Sequence, residues 1–229
     1  MREKLEVFAL VLGFVGLVGT IAVTALPMWR VSAFIGANLI VMEILWEGLW
    51  MNCYRQADFR MQCKVYDSLL IIPPELQAAR GLMCVSIVLV VISLSVTGCG
   101  TRKSSCCGDN MKSKNITLAL AGILYLLSFL TTLIPVSWVG HTVISNFNNP
   151  LVLDSQKREL GEALFIGWTT SGILLITGVI LLFIYSKRRS KEEGPYSDTY
   201  LIEARDVPKE ESVYLERTPS SFHKHHEYV

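Results

Sequence analysis

The six cysteines are the residues of this 229-residue chain whose side chains could do the most distinct chemistry. They form three pairs along the sequence: Cys53 with Cys63, Cys84 with Cys99, and the adjacent Cys106 and Cys107. Thiols can form a disulfide, hold a metal ion or carry a fatty acid, and the compartment of each pair decides among these. The pairs can be interpreted only once the elements that position them are known.

Other residue patterns argue against catalysis and against nucleic-acid binding. His141 is the only histidine before the C-terminal tail, and no set of Ser, His and Asp suggests a nucleophilic site. The tail histidines, His223, His225 and His226, could bind a metal weakly, but a solvated tail explains them better. The net charge of +1 lacks the basic excess typical of nucleic-acid binding. We expect no enzyme, no cofactor, no metal site and no nucleic-acid partner.

Four long stretches without Asp, Glu, Lys or Arg predict four transmembrane helices, at residues 7–29, 81–101, 115–140 and 163–186. A helix needs about 20 apolar residues to cross the hydrocarbon layer of a bilayer. The first stretch could also be a cleaved signal peptide, but it is too long for the apolar part of one. Because the spans carry no charge, a pump, a coupled transporter or a channel along the bundle axis is disfavoured.

Lysine and arginine in the short loops indicate the orientation of the spans. They concentrate in the 102–114 loop and directly after the fourth span, so both regions and both termini are expected in the cytosol. The segments 30–80 and 141–162 are then extracellular.

The predicted topology indicates which covalent modification each motif can undergo on its side of the membrane. Asn115-Ile116-Thr117 matches an N-glycosylation acceptor, but at the cytosolic end of the third span it should carry no sugar and instead cap the helix. Cys106 and Cys107 face the reducing cytosol beside the membrane, where palmitoylation and unmodified thiols remain equally open. Only Cys53 and Cys63 lie outside, which favours a disulfide between them.

The first outer segment is rich in β-forming residues and predicts an antiparallel sheet of about four strands. The stretches proposed as strands are 31–34, 39–42, 49–53 and 62–66. The disulfide would join the last two across a hairpin closed by residues 56–59. A short apolar run before Pro73 is compatible with one or two helical turns.

These features together resemble the claudin family. The resemblance is carried by Trp29, by Gly48-Leu49-Trp50, by Cys53 and Cys63, and by Arg80, and within the family the stretch 46–64 is particularly similar to claudins eight and seventeen. It implies a membrane α+β fold, with a left-handed bundle of four transmembrane helices under an extracellular antiparallel sheet of about five strands. It also implies assembly into strands that seal the space between epithelial cells.

The resemblance gives Lys64 a role in ion selectivity. Residue 64 follows the second extracellular cysteine, and in a strand its side chain points away from that of Cys63. The matching position in the family faces the paracellular pore, where a lysine would favour chloride over sodium. A lysine at a solvated rim is the alternative, because salt screens an exposed charge over about 8 Å. Arg30, Arg55 and Arg60 could add to the positive field, and Glu43, Glu47, Asp58 and Asp67 could offset it.

The resemblance also suggests how copies meet. Leu69 matches a hydrophobic knob, and Phe147 lies in the stretch 146–150 that resembles the family's turn before the fourth span. Most relatives have an aromatic residue where this chain has Asn148, so a partner claudin is expected for strand formation. Ordinary loop packing is the alternative role for Phe147 and Leu69.

We divide the chain into a claudin-like unit, 1–186, and a disordered cytosolic tail, 187–229. The tail ends in Glu227-Tyr228-Val229, which resembles a ligand for PDZ domains in scaffold proteins of the zonula occludens type. The expected function is therefore a tight-junction barrier and charge-selective paracellular pore at the plasma membrane, formed with other claudins in cis and in trans. The alternative is a regulatory or adaptor subunit of the wider four-span group that shares the Trp…Gly-Leu-Trp…Cys…Cys pattern.

Overall fold

The computed structural model describes residues 2–33, 44–55, 60–68, 72–101, 111–153 and 156–193. The described part contains four long helices, α1 (Arg2–Ala25), α2 (Pro74–Gly100), α3 (Met111–Asn148) and α4 (Glu162–Glu193). It also contains five strands, β1 (Arg30–Ser32), β2 (Ile44–Glu47), β3 (Met51–Arg55), β4 (Met61–Val65) and β5 (Arg158–Leu160). The chain divides into units Met1–Ser190 and Lys191–Val229, and the second is described only over 191–193.

All four helices are long and apolar enough to cross a membrane, as the uncharged stretches predict. Two of them continue beyond the predicted spans on the side of the sheet. Helix α2 begins at Pro74, whose missing N–H and fixed φ suit a first helical position. Helix α3 continues to Asn148, so the expected outer loop from residue 141 is helical at its start.

Small residues on α1 allow the helices to approach closely. A Cβ atom at Gly13 would lie 2.2 Å from the Tyr125 hydroxyl on α3, and one at Gly19 would lie 2.5 Å from Thr170 Oγ1 on α4. Helices in a bilayer associate through this kind of close packing, because lipid supplies no hydrophobic driving force between them. The glycine spacing therefore belongs to the bundle core.

The strands form one antiparallel sheet in the order β4-β3-β2-β1-β5. The hairpin of β3 and β4 is confirmed, and its connecting residues 56–59 lie outside the described part. The predicted strand 49–53 is wrong at its start, since Leu49 and Trp50 lie in the turn before β3. Strand β5 comes from the second outer segment, where the local sequence predicts none. The proposed strand 39–42 also falls outside the described residues.

Candidate functional site

Trp29 and Gly48 join the end of α1 to the sheet. The Trp29 indole is fully buried and donates a hydrogen bond to the Val23 carbonyl at 2.9 Å. A Cβ atom at Gly48 would lie 2.3 Å from Pro27 Cα, so only glycine fits at this position. The two residues fix the turn between β2 and β3 directly above the bundle.

Arg80 completes this joint from α2. Its Nε donates to the Leu49 carbonyl at 2.9 Å, and its guanidinium lies 4.8 Å from the Trp50 ring centroid, a cation–π contact. Leu49 itself is fully buried in the core that the sheet shares with the nearest half of the bundle. Five residues of the family pattern thus meet at one place, where they hold the sheet on the helices: Trp29, Gly48, Leu49, Trp50 and Arg80.

Tyr66 supports the same turn from the end of β4. Its hydroxyl lies 2.5 Å from Asn52 Oδ1 and 3.2 Å from the Gly48 carbonyl, so one proton is shared between two acceptors. Burial, with a smaller effect from the Glu47 charge, raises the pKa of Tyr66 to about 12. Tyr66 is therefore a neutral hydrogen-bond donor at physiological pH.

A disulfide joins Cys53 and Cys63, as the topology predicts. The two residues are direct partners in the β3–β4 pair, with their Cα atoms 4.0 Å apart. Such a bond stabilises a domain by about 2–4 kcal/mol. It also fixes the register, and with it the face to which each β4 residue points.

Strand β4 is an edge strand, and all five of its residues are exposed. Lys64 lies opposite Asn52 in the register, and its side chain is 80% exposed. Its Nζ lies 2.7 Å from Asp67 Oδ2, and this hydrogen bond, followed by the Asp67 charge, raises the pKa of Lys64. The lysine is therefore positively charged at pH 7, with a carboxylate beside it that partly cancels its field.

A mostly apolar groove of about 400 Å³ lies between the end of α3 nearest the sheet and strand β5. Phe147 and Asn148 both line it, but they occupy the last turn of α3 and not the expected loop. The chain turns only after them, with Asn149 Oδ1 accepting a hydrogen bond from the Leu151 amide. The hydrophobic knob predicted at Leu69 lies outside the described residues.

A comparison with models of known protein families shows which family the chain belongs to. The model of the PMP-22/EMP/MP20/Claudin family matches residues 3–181, which include the sheet, the disulfide, nearly all of the first three helices and the first 20 residues of α4. The chain belongs to the claudin family. This claudin is 45% identical to claudin-17 of Sus scrofa over 219 residues, covering 95% of this chain and 97% of the relative. It is 50% identical to claudin-8 of Mus musculus over 193 residues, covering 84% and 86%.

Claudin-3 of Homo sapiens is similar at 47% identity over 191 residues, covering 83% of this chain and 86% of the relative. Claudins are structural proteins of tight junctions and not enzymes, and they oligomerise in the membrane. This claudin is therefore a multi-pass membrane protein of the tight junction, with a role in the paracellular barrier or pore.

Two ion pairs around the sheet were not found from the sequence. Arg30 on β1 pairs with Glu75 on α2 at 2.6 Å, and Arg158 on β5 pairs with Glu47 on β2 at 2.9 Å. The sequence suggests Arg30 as a minor contributor to the positive field of a pore; it is 6% exposed and paired with Glu75, which leaves little of its charge at the surface. The local sequence shows only that Arg30 lies at the end of a predicted span. It does not indicate that its ion-pair partner, Glu75, lies 45 residues away.

A second polar cluster lies at the end of the bundle opposite the sheet. Arg188 on α4 contacts Glu6 on α1 and donates from Nη1 to Asn115 Oδ1 on α3 at 3.2 Å. Asn115 is buried inside α3, four residues after its start, so its expected role as a helix cap is wrong. The loop cysteines Cys106 and Cys107 and the terminal Glu227-Tyr228-Val229 lie outside the described residues.

Proposed function

We propose that this claudin assembles side by side and between cells into a paracellular pathway that favours anions and restricts cations. Lys64 supports the proposal, because it places a protonated ammonium on the exposed edge of a strand whose register a disulfide fixes. Claudin-17 and claudin-8 are among its relatives, whereas no contact among the described residues specifically favours the alternative role as a regulatory subunit.

The effect of Lys64 on ion selectivity depends on how narrow the space around its side chain is. A charge in open solution is screened within about 8 Å, but a narrow gap between protein walls contains less screening salt and repeats the charge on each copy. Asp67, 71% exposed and 2.7 Å away, subtracts from the field of Lys64 in any such gap. The anion preference should therefore be moderate, and Asp67 should be the residue that limits it.

Replacement of Lys64 and Asp67 should move selectivity in opposite directions. Lys64→Asp should reverse the preference towards sodium, and Asp67→Asn should raise the chloride-to-sodium permeability ratio several-fold, since it frees the ammonium field. Dilution potentials across an epithelial layer that expresses each form measure both ratios. Arg60→Asp is the matched control, because it makes the same charge change at an exposed position next to β4. If the Arg60 control moves the ratio as far as Lys64→Asp does, selectivity does not reside at residue 64.

We also propose that assembly uses the groove at the end of α3. Phe147 borders the groove, and the aliphatic side chains of Val143 and Leu160 give it the apolar surface that a hydrophobic knob of a neighbouring copy requires. Asn148 replaces part of that surface with an amide.

The amide should weaken strand formation by this claudin alone. In cells without other claudins, freeze-fracture images should show few homotypic strands, and Asn148→Tyr should increase their length. Phe147→Ala in the Asn148→Tyr background serves as the control and should remove the gain. Abundant strands from the unchanged protein would argue that the amide does not limit assembly.

We propose that both termini are cytosolic and that the terminal Tyr228-Val229 binds a PDZ scaffold. The basic residues Lys112, Lys114 and Lys187 at the end of the bundle opposite the sheet support this orientation. PDZ domains capture a free C-terminal carboxylate with backbone amides and hold the last side chain in an apolar pocket. One glycine added after Val229 should abolish scaffold binding measured by pull-down, while Val229→Ile should retain most of it. Binding that survives the added glycine would exclude this mode.

A further inference from the structure

Exposed cations collect at the end of the bundle opposite the sheet, where α3 begins and α4 ends. Lys112 on α3 and both Lys187 and Arg189 on α4 are exposed there. In the sequence, the loop 102–114 carries four Lys or Arg against one acidic residue, and the stretch 187–193 carries four against two. The Glu6 carboxylate at this end is 5% exposed and already binds Arg188, so it does not shield the exposed cations.

Contacts between α3 and α4 bring these cations to one seam. Arg188 donates to Asn115 Oδ1 on α3 at 3.2 Å, and Lys112 precedes Asn115 by about one helical turn. Leu182 on α4 lies against a glycine of α3. Because Arg189 follows Leu182 by about two helical turns, it lies on the same face of α4, turned towards α3. Lys112 and Arg189 therefore border the same seam between the two helices.

Two of the exposed lysines each lie one turn from an exposed apolar side chain. Ile116, on the face of α3 that carries Lys112, is 66% exposed, and Phe183, which precedes Lys187 on α4, is 52% exposed. The Lys187 ammonium lies 4.6 Å from the Phe183 ring centroid. Since Ile116 and Phe183 belong to the predicted spans, their exposed surfaces contact lipid chains. The ammonium groups one turn further on are then at the depth of the lipid headgroups.

The combination of several cations above exposed apolar side chains fits a lipid that carries several phosphates. Phosphatidylserine has one phosphate and one net negative charge, whereas a phosphoinositide headgroup can accept charge-assisted hydrogen bonds from several cations at once. From this arrangement we infer that the seam between α3 and α4 binds a polyphosphoinositide, with its phosphates on Lys112, Lys187 and Arg189. Its acyl chains lie along Ile116 and Phe183. The assignment to the cytosolic leaflet rests on the orientation proposed above.

Fluorescence polarisation of a labelled short-chain phosphatidylinositol bisphosphate, mixed with the purified full chain in uncharged detergent, tests this inference. Binding should saturate and should weaken as salt is added, because the contacts are ionic. Phosphatidylserine with the same chains should compete about tenfold more weakly, since it loses the contact to one or two cations. Soluble inositol trisphosphate should also compete more weakly, because it has no chains to contact Ile116 and Phe183. Equal competition by phosphatidylserine would overturn the assignment of the headgroup, and equal competition by inositol trisphosphate would overturn the assignment to a lipid.

Charge-removing variants at the two ends of the molecule separate this seam from the rest of the surface. Lys112→Gln and Lys187→Gln should each weaken binding about fivefold, the usual contribution of one cation near a lipid surface. Lys112→Arg should retain binding, since it keeps the charge. Lys64→Gln is the matched control, because it removes an exposed cation from the sheet at the opposite end.

The controls decide between a defined seam and general attraction by charge. All three replaced lysines are exposed, so the unfolding temperature of each variant should equal that of the unchanged chain. If Lys64→Gln weakens binding as much as Lys112→Gln does, the lipid responds to net charge alone and the seam is not a site. Because both ends of the bundle are accessible in detergent, a failure of binding leaves the proposed orientation and the proposed role of Lys64 in selectivity unaffected.

Discussion

Replacing Gly161 with alanine should leave almost no folded claudin at the cell surface. A Cβ atom at this position would lie 2.0 Å from the Met28 carbonyl oxygen and 2.7 Å from the Trp29 carbonyl carbon. Both are backbone atoms, and a backbone cannot move aside as a flexible side chain can. Overpacking a core usually costs about 1–3 kcal/mol, and the cost here should lie at or above the upper end of that range.

The surroundings of Gly161 show why the chain cannot relax. The Gly161 amide donates to the Trp29 carbonyl at 3.1 Å, and the Ala163 amide donates to the Met28 carbonyl at 3.0 Å. Displacing Gly161 would break both bonds and pull on Trp29, whose indole is fully buried. Strand β5 would then separate from β1. The contacts that hold the sheet, and with it Lys64, on the helices would be lost.

Surface biotinylation and the unfolding temperature of the purified protein measure this effect. Gly48→Ala should behave like Gly161→Ala, because its Cβ would lie 2.3 Å from Pro27 Cα. Gly172→Ala and Gly81→Ala are matched controls, since a Cβ at either position has no atom within 4 Å. Normal surface levels of Gly161→Ala would contradict the assignment of this contact as essential.

Features imposed by the membrane were predictable from the sequence, because lipid constrains each span locally. A run without charge such as 163–186 must be helical and about 20 residues long whatever its neighbours are. The disulfide followed from topology too, since Cys53 and Cys63 are the only cysteines on the outer side under the assigned orientation.

Features that depend on distant contacts were not predictable. Leu49 and the β-favouring Trp50 were predicted to begin a strand, yet they lie in a turn, because Gly48 passes close to Pro27 and Arg80 binds the Leu49 carbonyl. Strand β5 is three residues long and exists only because β1 offers it a free edge. Likewise, the sequence predicts a site role for Lys64 but not its ion pair with Asp67, which depends on how the chain leaves β4.

The opposite end of the bundle depends on one buried ion pair, and breaking it should destabilise the protein strongly. Arg188 and Glu6 are 3% and 5% exposed, and they connect the last helix to the first. Glu6→Gln leaves the Arg188 charge buried without its counter-ion, which typically costs about 3–5 kcal/mol. We expect the thermal unfolding temperature of Glu6→Gln in detergent to fall by roughly 6–20 °C at the usual 2–4 °C per kcal/mol for a chain of this size.

A double variant distinguishes loss of charge balance from loss of packing. Glu6→Leu with Arg188→Met removes both charges and keeps an apolar side chain at each position, so it should recover most of the stability that either single change loses. Lys187→Met is the control for the adjacent cation, which is exposed over the Phe183 ring at 4.6 Å and should matter little. If the double variant is as unstable as the singles added together, the two residues do not act as a pair. Recovery would mean that α1 and α4 are held together here by charge neutralisation, with Asn115 on α3 satisfying one of the remaining donors of Arg188.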